Sequence, residues 1–194
     1  LAQAGGATWQ TPRTPGGKPD FSGFWSPPRQ AKPPPGGGAT VFTKQNFAEF
    51  KPGGEQQFYK PRTGDAFTDE PRAFCMPSGF PSAFLGPYPV QLVQTAQHLV
   101  MATEFMNVTR FIPLDGRPHP KDVDLTWFGD AVGKWEGDTL VIDTVGLKAW
   151  TLDETVNEFP SNDPKSKQPR IAGRWHSDAL HVIERINTHT HVFG

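Results

Sequence analysis

The residues best able to carry chemistry are histidines and carboxylates. His119 lies in Gly116-Arg117-Pro118-His119-Pro120, a loop stiffened by two prolines. His176 and His181 flank Ser177-Asp178-Ala179-Leu180, and His189 and His191 stand two apart near the last residue given. On a strand, residues two apart share a face, so His189 and His191 could supply two ligands of a metal site. The commoner use of such a pair is a solvated or hydrogen-bonded one, and no metal is assigned. His176 and His181 are five apart and meet only if Ser177-Asp178 makes a turn. Asp122, Asp124, Asp130, Glu136, Asp138 and Asp143 crowd the middle of the chain, where paired carboxylates could act in acid–base catalysis. The plainer reading gives Glu136 and Asp138 to a turn and Asp122 and Asp124 to a solvated loop. Nucleophile and nucleotide signatures are missing: there is no G-x-S-x-G elbow, no P-loop and no dinucleotide fingerprint. The lone thiol, Cys75, has apolar neighbours in Phe74-Cys75-Met76-Pro77, a setting that predicts an inert group.

The elements that must position these groups are β-strands. Of 194 residues, 20 are Gly and 21 Pro, which argues against a helical bundle, while 15 Phe, 6 Trp and 2 Tyr argue against plain disorder. Alternating apolar and polar residues predict strands over Val90–Gln94, Leu99–Met106, Val108–Ile112, Val132–Trp135, Leu140–Val145 and Leu180–Ile186. Asp115-Gly116 and Glu136-Gly137-Asp138 supply hairpin chemistry between them. The expected fold is all-β or mainly β: an antiparallel sheet, sandwich or partial barrel over residues 69–194, preceded by an extended arm over residues 1–68.

That arm is unusual. Residues 1–70 hold 10 Pro and 11 Gly together with ten aromatic side chains. Thr43–Phe50 is the one place there where a short helix could form, and Ser161–Arg170 in the second half reads as a polar loop. Aromatics spaced along an extended segment can each fill a pocket elsewhere, so Trp9, Phe21, Trp25, Phe80, Phe84 and Tyr88 are candidate docking residues. Phe80–Pro89 sets three aromatics among prolines and makes a stiff apolar surface that something must cover. Arg117, His119, Trp127, Trp135, His176, Asp178 and His181 are the candidate ligand-binding set.

Charge narrows the partners. With 19 basic and 20 acidic residues the formal net charge is −1, so nothing draws the chain toward nucleic acid. No apolar run reaches the length of a membrane span. One cysteine excludes an intramolecular disulfide. Leu1-Ala2-Gln3-Ala4 reads as the end of a secretory signal, which points to a periplasmic or secreted protein.

Three segments are distinctive: Gly116-Arg117-Pro118-His119-Pro120, Gly133–Gly146 (GKWEGDTLVIDTVG) and His176–Arg185 (HSDALHVIER). With Thr11–Trp25, they resemble a large family of exported bacterial proteins to which no activity is assigned. The resemblance implies export and a β-rich fold, and no cofactor. Members of that family continue for several strands beyond the stretch matching Val182–Arg185, so an open sheet edge that invites a partner strand is expected here. Three readings follow. The first is a non-enzymatic subunit docking through other proteins onto a larger, possibly membrane-bound assembly, such as a photosynthetic or electron-transfer complex. The second is a small-molecule or carbohydrate-binding β-barrel with Trp127, Trp135 and His119 near its mouth. The third is a metal-dependent or acid–base enzyme using His119, His176 and His181.

Overall fold

A computed structural model describes residues 11–26, 52, 59–61, 75–85, 88–153 and 171–188. Among these residues the fold is all-β, with antiparallel sheets and almost no helix. The strands are β1 (Gly23–Trp25), β2 (Tyr59–Pro61), β3 (Val90–Gln94), β4 (His98–Thr103), β5 (Thr109–Pro113), β6 (Asp130–Glu136), β7 (Thr139–Val145), β8 (Trp150–Asp153), β9 (Ile171–His176) and β10 (Val182–Ile186). One helical turn, α1 (Ser82–Leu85), precedes β3. They form sheets in the orders β1-β3-β4-β5, β10-β7-β6 and β2-β9-β8, none closed into a barrel. Trp9, His189, His191, the Thr43–Phe50 helix and the Ser161–Arg170 loop lie outside the described residues, as does most of the expected arm.

The first two sheets face each other, and strand alternation decides which side chains meet. In the four-stranded sheet Leu92, Met101 and Arg110 stand in one cross-strand row, and Gln94, Leu99 and Ile112 in the next. In the three-stranded sheet Ile142 pairs with both Gly133 and Glu184, and Leu140 with Trp135 and Ile186. Leu92, Leu99, Met101, Ile112, Ala131, Leu140 and Ile142 then join across the gap into one buried cluster. Residue alternation with period two carries these side chains inward.

The segment before β1 closes one end of this core. Phe21 is 1% exposed and stacks on Trp135 at 5.5 Å between ring centroids. Burying a side chain of this size stabilises by about 1.5–3 kcal/mol. Its backbone is held as well: Gln94 accepts from the Phe21 N–H and donates to the Pro19 carbonyl. Arg13 grips Asp138 with two parallel hydrogen bonds of 2.6 Å, and Lys18 donates to the Gly137 carbonyl. Those two acceptors belong to the β6–β7 hairpin, where Glu136 pairs with Thr139 around Gly137-Asp138 and Gly137 has φ +62. A two-residue hairpin loop favours glycine at such a position. The arginine forks hold the Asp138 carboxyl below the usual carboxylate range.

Strand edges differ from the sequence expectation by a residue or two, and one turn differs in kind. The strand expected over Leu99–Met106 stops at Thr103, because Met106 and Asn107 take positive φ in a tight turn before β5. Asp115-Gly116 does not close a two-residue hairpin: it opens the loop 114–129 that carries His119, and the Gly116 N–H donates instead to the Gly133 carbonyl. Cys75 lies at the surface, so its apolar sequence neighbours do not enclose it.

The far end of loop 114–129 is pinned to the end of β7. The Thr126 N–H donates to the Gly146 carbonyl, and the Lys148 N–H to the Thr126 carbonyl. Gly146 has φ +68, and a Cβ there would lie 2.1 Å from Val123 Cγ1. Gly146→Ala should therefore cost about 2–4 kcal/mol, from left-handed strain plus the clash. Urea denaturation of the two proteins measures it.

Candidate functional site

Two polar constellations stand on opposite faces of the three-stranded sheet. On the outer face, Asp143 of β7 lies opposite Val132 and Ile183, and Asp130 begins the neighbouring strand. His119 arches over them from loop 114–129: its Nδ1 donates to Asp130 Oδ2 at 2.6 Å, and its Nε2 sits 3.5 Å from Asp143 Oδ1. His181, just ahead of β10, bonds through Nε2 to the same Asp143 oxygen at 2.6 Å. Asp130, His119, Asp143 and His181 thus form an alternating carboxylate–imidazole row, half open to solvent. Such a row can relay a proton or tie a loop to a sheet. Among the described residues, no group of three or more His, Cys, Asp or Glu is arranged to hold a metal ion.

The remaining residues of the expected ligand-binding set are dispersed. Arg117 is exposed, 3.9 Å from Asp115, and Asp178 is exposed. Trp127 packs against Trp150 and under the Lys148 ammonium, and Trp150 meets Trp175. Trp135 is taken up by Phe21 and Lys18. Ser177–Ala179 does make a turn, yet His176 donates through Nδ1 to its neighbour's carbonyl, Ser177 O, while His181 bonds to Asp143. No shared site joins these residues. Two of the middle carboxylates are occupied as well: Glu136 pairs with Arg185 and Lys134, and Asp138 with Arg13.

The inner face holds the second constellation. Arg110, from β5, is 2% exposed and reaches across the sandwich. Its Nη1 donates to Glu184 Oε1 at 3.1 Å and its Nη2 to Thr144 Oγ1 at 3.0 Å. The guanidinium lies flat against Phe80, 3.8 Å from the ring centroid. Glu184 Oε2 is 2.9 Å from Nη2, close enough for ionic attraction, yet no N–H is aimed at it. An ion removed from water this fully is tolerable only with such partners.

Beside this pair the two sheets part to leave a cleft of about 590 Å³. Phe21, Trp25, Phe80 and Phe84 form its aromatic wall, Leu92 and Met101 part of its floor. Glu184 is the one charged side chain among its described lining residues, with Asn187 and Thr188 as polar neighbours. The volume falls in the range of small-molecule sites, and the apolar lining with few polar groups matches their usual chemistry.

Four of the six residues expected to dock onto a partner therefore face the cleft of their own fold. Phe21 and Phe80, at 1% and 2% exposure, are enclosed within it. Tyr88 stacks on Phe105 at 4.7 Å. Arg110 and Glu184 were missed as site residues, although a signal existed. Val108, Arg110 and Ile112 share one strand phase, as do Val182, Glu184 and Ile186, so each phase carries a lone charge of opposite sign. No protein-family model, curated protein or solved structure matches the chain.

His176 yields a pH prediction. Burial holds its imidazole below the ordinary range, against the opposing pull of the Ser177 carbonyl, and Nε2 is buried without a partner. The folded protein thus prefers the neutral ring. Above about pH 6.5 both states are neutral and the contribution is complete; as pH falls, the unfolded chain takes up the proton first and stability is lost until the folded-state value is passed. Melting temperatures from pH 8 to pH 5 should fall less steeply for His176→Gln than for the parent protein.

Proposed function

We propose that this chain binds an apolar small molecule between its sheets. The observation that carries this reading is the aromatic cleft of about 590 Å³ beside the Arg110–Glu184 ion pair. An apolar cleft of this size offers packing contacts that a ligand of matching shape would take up. Among the described lining residues there are too few hydrogen-bonding groups for a sugar, whose hydroxyls each need a partner. The neutral fluorophore N-phenyl-1-naphthylamine serves as the probe. Its emission should rise saturably on titration with the protein. Val182→Phe, which adds bulk to the cleft wall from β10, should weaken the probe's affinity about tenfold, a difference of about 1.4 kcal/mol. A linear, unsaturable signal that Val182→Phe leaves unchanged would remove the reading.

A second reading, docking onto a larger extracytoplasmic assembly, is favoured by a different surface. Among its described positions the outer face of the four-stranded sheet carries no Asp, Glu, Lys or Arg. Phe24, Phe111 and Val93 stand on it at 77%, 60% and 48% exposure. Contiguous exposed apolar groups of this kind suit an uncharged protein surface. A pull-down from native membranes should recover a second protein, and Phe24→Lys with Phe111→Lys should release it; recovery of the monomer alone would refute docking.

A further inference from the structure

The charge state and polar chemistry of the cleft's ligand can be read from the ion pair at its side, granted the apolar-ligand reading above. Arg110 and Glu184 already neutralise each other, so that side of the cleft has no net charge to offer. A ligand carboxylate placed there would bring a second anion against Glu184, with the Arg110 cation already spent on it. A ligand ammonium would sit by the same neutral pair and lose its water without a free counter-charge. Either charge is costly to bring out of water unpaired.

The pair nonetheless has spare capacity of one kind. A carboxylate can accept about four hydrogen bonds. Here Arg110 Nη1 supplies one to Oε1, Nη2 serves Thr144, and Oε2, enclosed 2.9 Å from Nη2, receives no aimed N–H, so the carboxylate's acceptor sites are not all filled. Glu184 is 22% exposed and lines the cleft, whereas Arg110 does not line it and is 2% exposed. What the cleft can present to a ligand at this point is therefore an acceptor without a matching donor. We infer that the site selects a neutral apolar molecule bearing a hydrogen-bond-donating group, a hydroxyl or an amide N–H, which donates to Glu184 while its hydrocarbon or ring body lies against Phe80, Phe84 and Met101.

Three competitors built on a straight twelve-carbon chain separate this from plain hydrophobic capture: 1-dodecanol, its methyl ether, and dodecanoate at pH 8. Each is titrated against the bound N-phenyl-1-naphthylamine probe. The alcohol should displace it at about tenfold lower concentration than the ether, the worth of one hydrogen bond to a charged acceptor, and lower still than the acid. In the Arg110→Met, Glu184→Leu double variant the alcohol and ether should become equal. Replacing both members of a buried pair with apolar residues usually preserves folding; if this variant does not fold, the three-ligand order in the parent protein decides. A probe that binds while acid or ether equals or exceeds the alcohol overturns the donor inference and leaves the apolar cleft standing. A probe that never binds removes the cleft reading itself.

Discussion

Arg110 is the constraint around which the rest is arranged. A guanidinium on the inward phase of β5 must find an acceptor within the sandwich, because burying it unpaired would cost several kcal/mol. Glu184 and Thr144, on strands of the opposite sheet, supply those acceptors, and the Phe80 face covers the flat side of the ion. This sets three things at once. It fixes β10 against β5, it places the segment carrying Phe80 over the sheet gap, and it keeps aliphatic side chains from filling that gap completely. The cleft lies beside the pair.

The stretch from Thr11 to Trp25 then decides what kind of opening this is. Arg13 and Lys18 fasten it to the β6–β7 hairpin, Gln94 holds its backbone, and Phe21 enters the core. Trp25, which follows in β1, closes back with an indole N–H to the Phe21 carbonyl and contributes to the cleft wall. A segment rich in Pro and Gly loses less chain entropy at Pro and tolerates the positive φ of Gly17 and Gly23. Its aromatic groups are what make it worth ordering.

Strand alternation made much of this fold legible in advance. Val90–Gln94 matches β3 residue for residue, and Leu140–Val145 falls inside β7. Trp150–Asp153 and Ile171–His176 escaped notice because they are short or lack alternation, and their pairing partners are distant in sequence. The His119–Asp130 and His181–Asp143 contacts were half visible: both histidines and both carboxylates stood out by type, but only the path of loop 114–129 brings His119 to Asp130, and only the β7–β10 pairing sets His181 beside Asp143. The site on the inner face was harder. Aromatic residues in an irregular segment look alike whether they fill their own fold or another's, and sequence spacing cannot separate the two. Two lone charges in apolar strand phases were the better clue, since opposite charges turned inward must meet.

The central claim is that the space beside Arg110 and Glu184 is a ligand site. The most direct measurement is a crystal structure of the protein with 1-dodecanol, read for where the molecule sits. The account predicts density between Phe80 and Met101 with the hydroxyl within hydrogen-bond reach of the Glu184 carboxylate. Density confined to the outer face at Phe24 and Phe111, with the cleft unchanged, would contradict it.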